Sequence, residues 1–240
     1  MTVSEFSSEF DILYNNIMSN KAPGLSEYEK SVFLTKAQYE ILKNYFNPKG
    51  NKYGEGFDDS AKRQTDFAEL INISSLTEVT ADSYQKLNPG SILYRMPDDL
   101  FIILNEVGNL TDQSFNKTIS IVPISFDEYT RLMSKPYKEP LKNQAWRLSQ
   151  SDMPGIIAEI IIRTGTVLNE YKMRYIRKPA PIILADLAEY NASIDGIRSV
   201  SECELNPVVH PEILQRAVEL AKSAYEGDIN SIVQLGQRTE

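Results

Sequence analysis

Apolar positions at the start of the chain recur with helical spacing. Phe6, Phe10, Leu13, Tyr14 and Ile17 share one stripe, which predicts an amphipathic helix ending near Ser19. Ala22-Pro23-Gly24-Leu25 then reads as a turn. Thr35 and Gln38 have the spacing of a capping box, and Leu34 and Tyr39 that of a hydrophobic staple, so a second helix is expected from Thr35. Its inner face would carry Ile41, Leu42, Tyr45 and Phe46, and Asn47-Pro48 would end it. A polar, glycine-rich loop from Asn47 to Gly56 precedes a third expected helix, which starts at Asp58 or Asp59 and runs through Ala61, Ala68 and Ile71.

From Ser74 to about Asn206 the pattern becomes that of strands. Residues 91–96 and 100–104 flank Pro97-Asp98-Asp99 in a hairpin-like arrangement, and residues 118–122 alternate. Ser125 and Glu128 predict a short capped helix through Met133. Residues 155–162 and 168–176 are the clearest strands, with Arg163-Thr164-Gly165-Thr166 as a turn between them. In the second, Tyr171, Met173 and Tyr175 share one face and Lys172 and Arg174 the other, as in a sheet half exposed to water.

Helix returns at the C-terminal end. Pro211 suits a first helical turn, and Ile213, Ala217, Leu220, Ala221 and Ala224 form a stripe. Gly227 suits a helix end, and Asp228 can cap a last short helix over Ile229 to Leu235. The resulting fold class is α+β, a helical frame from both chain ends with a β-rich central insertion. Its expected divisions are 1–73 helical, 74–206 β-rich, and 207–240 as C-terminal helices packing on the first part.

Composition narrows what such a fold can do. At 240 residues the chain can bury a proper core, and 42% hydrophobic with 24% charged residues is an ordinary globular balance. The longest apolar run, Gly155 to Ile162, is interrupted by Glu159, so no transmembrane helix is expected. The acidic start Met1-Thr2-Val3-Ser4-Glu5-Phe6 lacks the basic and apolar regions of a secretory signal. The single cysteine, Cys203, excludes an intrachain disulfide and suits assembly in a reducing cytosol. A net charge of −8 argues against a general grip on nucleic-acid phosphates. It suits a surface that DNA slides past, as well as plain solubility.

Candidate chemistry is thin. Cys203 and the single histidine, His210, could in principle pair as nucleophile and base, but His210 precedes Pro211 at a predicted helix start and no orienting group accompanies them. Two such residues are too few for zinc. Phosphate-binding glycine loops and a nucleophile elbow are absent, and Lys52 to Gly56 reads as a flexible turn. The acid pairs Asp58-Asp59 and Asp98-Asp99 are the available candidates for a small hydrolase, yet a helix start and a tight turn explain them locally. Lys172, Arg174, Arg177 and Lys178 form a basic cluster that reads as a solvated strand face. Thirteen tyrosines fit core or interface, which sequence alone does not separate. No catalytic, cofactor-binding or metal-binding residue is assigned, and no cofactor is expected.

Three strings carry a family resemblance: residues 25–38 (LSEYEKSVFLTKAQ), residues 171–181 ending in Ile176-Arg177-Lys178-Pro179-Ala180-Pro181, and residues 203–214 (CELNPVVHPEIL) followed by Ala217 to Ala221. In this order they resemble the ring proteins of crAss-like gut bacteriophages, virion structural proteins that stack into the barrel of the short tail. The resemblance implies a homo-oligomeric, twelve-fold ring lying between portal and distal tail, with the portal-proximal ring favoured. Its lumen would pass genome and cargo proteins, its partners would be copies of itself with the portal or neighbouring rings, and it would assemble in the host cytoplasm without membrane insertion. The alternative is a head-to-tail adaptor docking on the portal by its C-terminal helices.

Overall fold

The computed structural model describes residues 1–18, 24–46, 61–79, 86–112, 115–135, 138–152 and 155–226. The chain divides into two units, one made of residues 1–70 with 179–240 and one of residues 71–178. Helices at both chain ends and strands between them give the α+β architecture read from the sequence. The expected turn at Ala22-Pro23, the loop from Asn47 to Gly56, the pair Asp58-Asp59 and the elements from Gly227 to Leu235 lie outside the described residues. No helix among the described residues is long and apolar enough to cross a membrane.

The first unit contains α1 (Val3–Met18), α2 (Glu27–Phe46), α3 (Ala61–Asp66) and, near its C-terminal end, α5 (His210–Glu226). Phe6, Phe10 and Tyr14 are buried along α1, whereas Leu13, expected on the same stripe, is 36% exposed. The seam that packs is therefore a narrow i, i+4 line, since one helix meets its neighbour along less than half its circumference. Along α5 the buried line is Ile213, Leu214, Ala217, Val218 and Ala221, so the stripe turns away from the expected Ala224, which is exposed.

The start of α2 corrects the sequence reading. Helix begins at Glu27, capped by Ser26, whose hydroxyl accepts from the Glu29 amide while the Glu29 carboxylate accepts from the Ser26 amide. Thr35 lies in the helix interior and its hydroxyl has tertiary partners: it accepts from Ile182 N at 3.2 Å and donates to Ile182 O at 3.3 Å. Ser26 and Glu29, which the sequence reading did not pick out, have the same spacing, and they satisfy the free helix amides.

Thr35 belongs to a row of polar side chains that holds an extended segment. Ser31 Oγ accepts from Leu184 N, and Gln38 Nε2 donates to Ala180 O. On the segment's other side Ile183 and Ser201 exchange both backbone hydrogen bonds. Residues 180–184 thus satisfy alternate backbone groups like a strand, with helix side chains standing in for one neighbour. This explains why strands stop at Arg177 although the β texture reads on to Asn206: beyond it Pro179 and Pro181 supply no donors, and the partner is a helix.

The second unit is one seven-stranded sheet with a short helix, α4 (Phe126–Met133), capped by Ser125 as expected. Its strands are β1 (Ile71–Ser75), β2 (Ile92–Arg95), β3 (Leu100–Asp112), β4 (Phe115–Pro123), β5 (Gln144–Asp152), β6 (Gly155–Ile161) and β7 (Val167–Arg177), ordered β1-β7-β3-β4-β5-β6-β2. Ile71, expected in the third helix, begins β1. The hairpin expected around Pro97-Asp98-Asp99 does not form: β2 pairs with β6, and β3 with β4 and β7. Nor do β6 and β7 pair across the turn at Arg163–Thr166. Short loops favour hairpins, as β3–β4 and β5–β6 show, but β2 and β3, like β6 and β7, take other neighbours in a sheet that curls back on itself.

That closure is visible bond by bond. Leu76 N donates to Tyr171 O, continuing the β1–β7 register. Arg95 N then donates to Thr77 O, and Val79 N to Leu93 O. One stretch of chain, residues 71–79, therefore leaves β7 and joins β2, linking the two ends of the sheet order. The enclosed core holds Tyr94, Met96, Leu110, Ile119, Ile121, Ile160, Leu168, Tyr171, Met173 and Tyr175. Tyr171 and Tyr175 are thus core residues, and Lys172 on the opposite face is exposed.

Replacing Thr35 by Val keeps its shape but leaves Ile182 N and O without their hydroxyl partner. Urea denaturation should show a loss of about 2 kcal/mol at an unchanged m value.

Candidate assembly surfaces

The residues singled out for chemistry are dispersed and internally satisfied. His210 is buried at the start of α5, where Nε2 lies 2.8 Å from Leu205 O, Nδ1 lies 2.7 Å from the Met1 nitrogen and the ring packs against Phe6. Burial lowers its pKa below the ordinary imidazole value. Cys203 instead lies 3.6 Å from Gln38 Oε1, and burial pushes its thiol up to about 11. The two residues therefore serve separate packing contacts. Asp99 accepts from Tyr175 OH at 2.9 Å and from Lys178 N at 2.7 Å, closing the turn after Pro97. Lys172 pairs with Glu170 at 2.8 Å, and Glu170 also accepts from Ser75 and Asn109. Part of the basic cluster is thus knitted into the outer sheet surface. Among the described residues no group of three or more His, Cys, Asp or Glu side chains could hold a metal ion.

Three buried charged residues in the β unit, Glu159, Glu106 and Arg147, were given no role from the sequence. Glu159, 0% exposed, accepts from the Leu87 and Asn88 amides, Ser91 Oγ and Gln150 Nε2, four donors that replace its hydration shell. Arg147 Nε lies 2.8 and 3.0 Å from the two oxygens of Glu106, and the arginine also contacts Ser149 Oγ. Tyr171 OH donates to the same Glu106, and burial together with that carboxylate raises the phenol far above its usual pKa. A signal existed for Glu159, a carboxylate in an otherwise apolar strand. None existed for Glu106 and Arg147, which are distant in sequence and meet only when β3 and β5 join one sheet.

What the surface offers is geometry for contact. In the helical unit an open groove of about 420 Å³ is lined mainly by aromatic and aliphatic side chains, among them Tyr14, Tyr28, Phe33 and Tyr225, together with Glu29 and Lys36. In the β unit a smaller pocket of about 270 Å³ at the turn after β6 gathers Lys117, Lys142 and Arg163. Gly165 in that turn adopts φ 84°, which a side chain would oppose. Arg163 is partly neutralised by Glu139 at 3.6 Å. Exposed apolar residues include Ile73 and Val167 on strands of the β unit and Val208 and Tyr225 in the helical unit.

Two outcomes test these assignments. Arg147→Met leaves Glu106 buried without its partner and should cost about 3 kcal/mol or more, with partial recovery when Glu106→Gln is added, as read by a double-mutant denaturation cycle. With its thiol held near 11, Cys203 should react with iodoacetamide at pH 8 roughly a hundredfold more slowly than an unperturbed cysteine. Rapid labelling of the folded chain would contradict the buried placement.

Comparison with known proteins gives these surfaces a context. A family model described as phage tail ring protein 3/4 matches residues 1–232. The chain is 56% identical over 242 residues to Ring protein 4/5 of Bacteroides phage crAss001, covering 100% of both chains. It is also 36% identical over 226 residues to Ring protein 3 of the same phage, covering 92% of this chain and 95% of that one. On this evidence of shared sequence from end to end, the chain belongs to the phage tail ring protein family, whose members are structural proteins of the virion.

Proposed function

We propose that the chain assembles into a closed homo-oligomeric ring of the tail barrel, twelve-fold as the family resemblance implies, stacked on neighbouring ring proteins. The observation that carries this reading is the match over the whole chain to two ring proteins, spanning both structural units. The lumen is the passage for genome and cargo proteins. A net charge of −8 supports that role, since an acidic wall repels phosphates and lets DNA move without sticking. The chain acts through its interfaces and performs no catalysis, consistent with carboxylates and a thiol already engaged in packing.

For the place in the stack, the relatives carry the numbers 3 and 4/5 in their names, and the higher identity is with 4/5. We therefore read the chain as the counterpart of that ring, in place of the portal-proximal position. The partners on its two faces are then other ring proteins of the tail, and the portal is not a direct neighbour.

Electron micrographs of the purified full-length chain, alone and mixed with neighbouring ring proteins, should show annular particles with a central channel, and native mass measurement should return a closed multiple of 27.2 kDa. Monomers under both conditions would overturn the ring reading. Annuli found only with the portal would favour the adaptor.

A further inference from the structure

The stretch of chain that closes the β unit changes partners partway along, and the register shows what this leaves open. Leu76 and Tyr171 are opposite residues and Leu76 N bonds Tyr171 O, so alternate residues Ser74 and Asn72 also direct their backbone groups to β7. The odd-numbered residues direct theirs the other way. Thr77 and Val79 do so productively, against Arg95 and Leu93 of β2. Two residues further along this ladder, Ser75 falls opposite Pro97. Proline has no N–H to donate, and the chain turns away there through Asp98 and Asp99. The ladder stops, and Ile71, Ile73 and Ser75 face outward from β7 with no strand partner among the described residues.

This edge lacks the devices that normally protect one. Ile71-Asn72-Ile73-Ser74-Ser75 contains no charge, no proline and no bulge relative to β7. Ile73 points outward and is 72% exposed, more than any other large hydrophobic residue described. The polar network of Ser75, Glu170, Lys172 and Asn109 stands beside it on the outer face, like the rim of a contact. An uncharged, unprotected β edge with a bare isoleucine is a template for another strand.

We infer that the outer edge of β1, Ile71 to Ser75, is a subunit interface in which a strand of a second copy of this chain pairs with the backbone of Ile73 and Ser75 and covers the Ile73 side chain. The inference rests on the ring reading. In a ring every copy presents two different patches to its neighbours, and a one-sided strand edge suits such a head-to-tail contact because it need not match itself.

The test uses the full-length chain under conditions where the wild type assembles. Ser75→Pro removes the outward N–H, and Ile73→Lys places a charge on the edge. Each should weaken ring formation by roughly tenfold or more, read by mass photometry across a dilution series. Ser75→Ala removes the hydroxyl that contacts Glu170 but keeps the N–H, and should assemble like the wild type. Near-ultraviolet circular dichroism of all three variants should match the wild type, since β1 retains its pairing with β7. Rings formed equally well by Ser75→Pro and Ile73→Lys would overturn the edge assignment and leave the ring reading standing. Equal loss of assembly in Ser75→Ala would also overturn it, tracing the effect to the hydroxyl. Wild-type chain that stays monomeric alone and with its neighbouring ring proteins would overturn both.

Discussion

The β unit depends on nine residues that serve two strands in turn. Residues 71–76 satisfy β7 and residues 77–79 satisfy β2, so one stretch of backbone joins sheet neighbours that are otherwise at opposite ends of the strand order. Buried amide and carbonyl groups left unpaired would each cost about 1–3 kcal/mol, so this pairing decides whether the interior can be dry. Once it is, Tyr94, Met173 and Tyr175 can pack, and the Arg147–Glu106 pair can stay buried beside Tyr171. Pro97 limits the closure by removing the donor that the next step needs.

The helical unit solves a related problem by different means. Ser31, Thr35 and Gln38 lie on α2 at intervals of four and three residues, so they form one row, and that row meets alternate backbone groups of residues 180–184. A helix face normally offers a strand nothing to bond with. Here hydroxyl and amide groups supply donors and acceptors at the spacing of a β ladder. Glu204 completes the set by accepting from Ala180 N. Buried polar residues on a helix are thereby structural, and their side chains are committed before any outside ligand arrives.

These commitments bear on function. A ring subunit works by holding its shape while several surfaces are buried against other chains, and both units lock their buried charges into fixed partners. Their unsatisfied features lie outside: an apolar groove among α1, α2 and α5, a basic pocket at the β6–β7 turn, and the strand edge at Ile73. Stable interiors with open edges and grooves are what a building block of an assembly needs.

The amino-acid sequence by itself determined the α+β class, the cap at Ser125, the two clearest strands and the buried face of β7, because these follow from periodicity and nearest-neighbour chemistry. The resemblance carried by three short strings identified the family. Tertiary structure alone decided what Thr35 does inside α2, where its hydroxyl bonds Ile182 across 147 residues. It also decided that β2 does not pair with β3 nor β6 with β7, that Glu106 meets Arg147 and Tyr171, and that the tyrosines of β7 are core. Strand partners and buried ion pairs join residues far apart in the chain, and the energy of joining them is written in no local window. The bare edge at Ile73 belongs to the same class: its residues are plain in the sequence, but its exposure follows from where Pro97 ends the ladder.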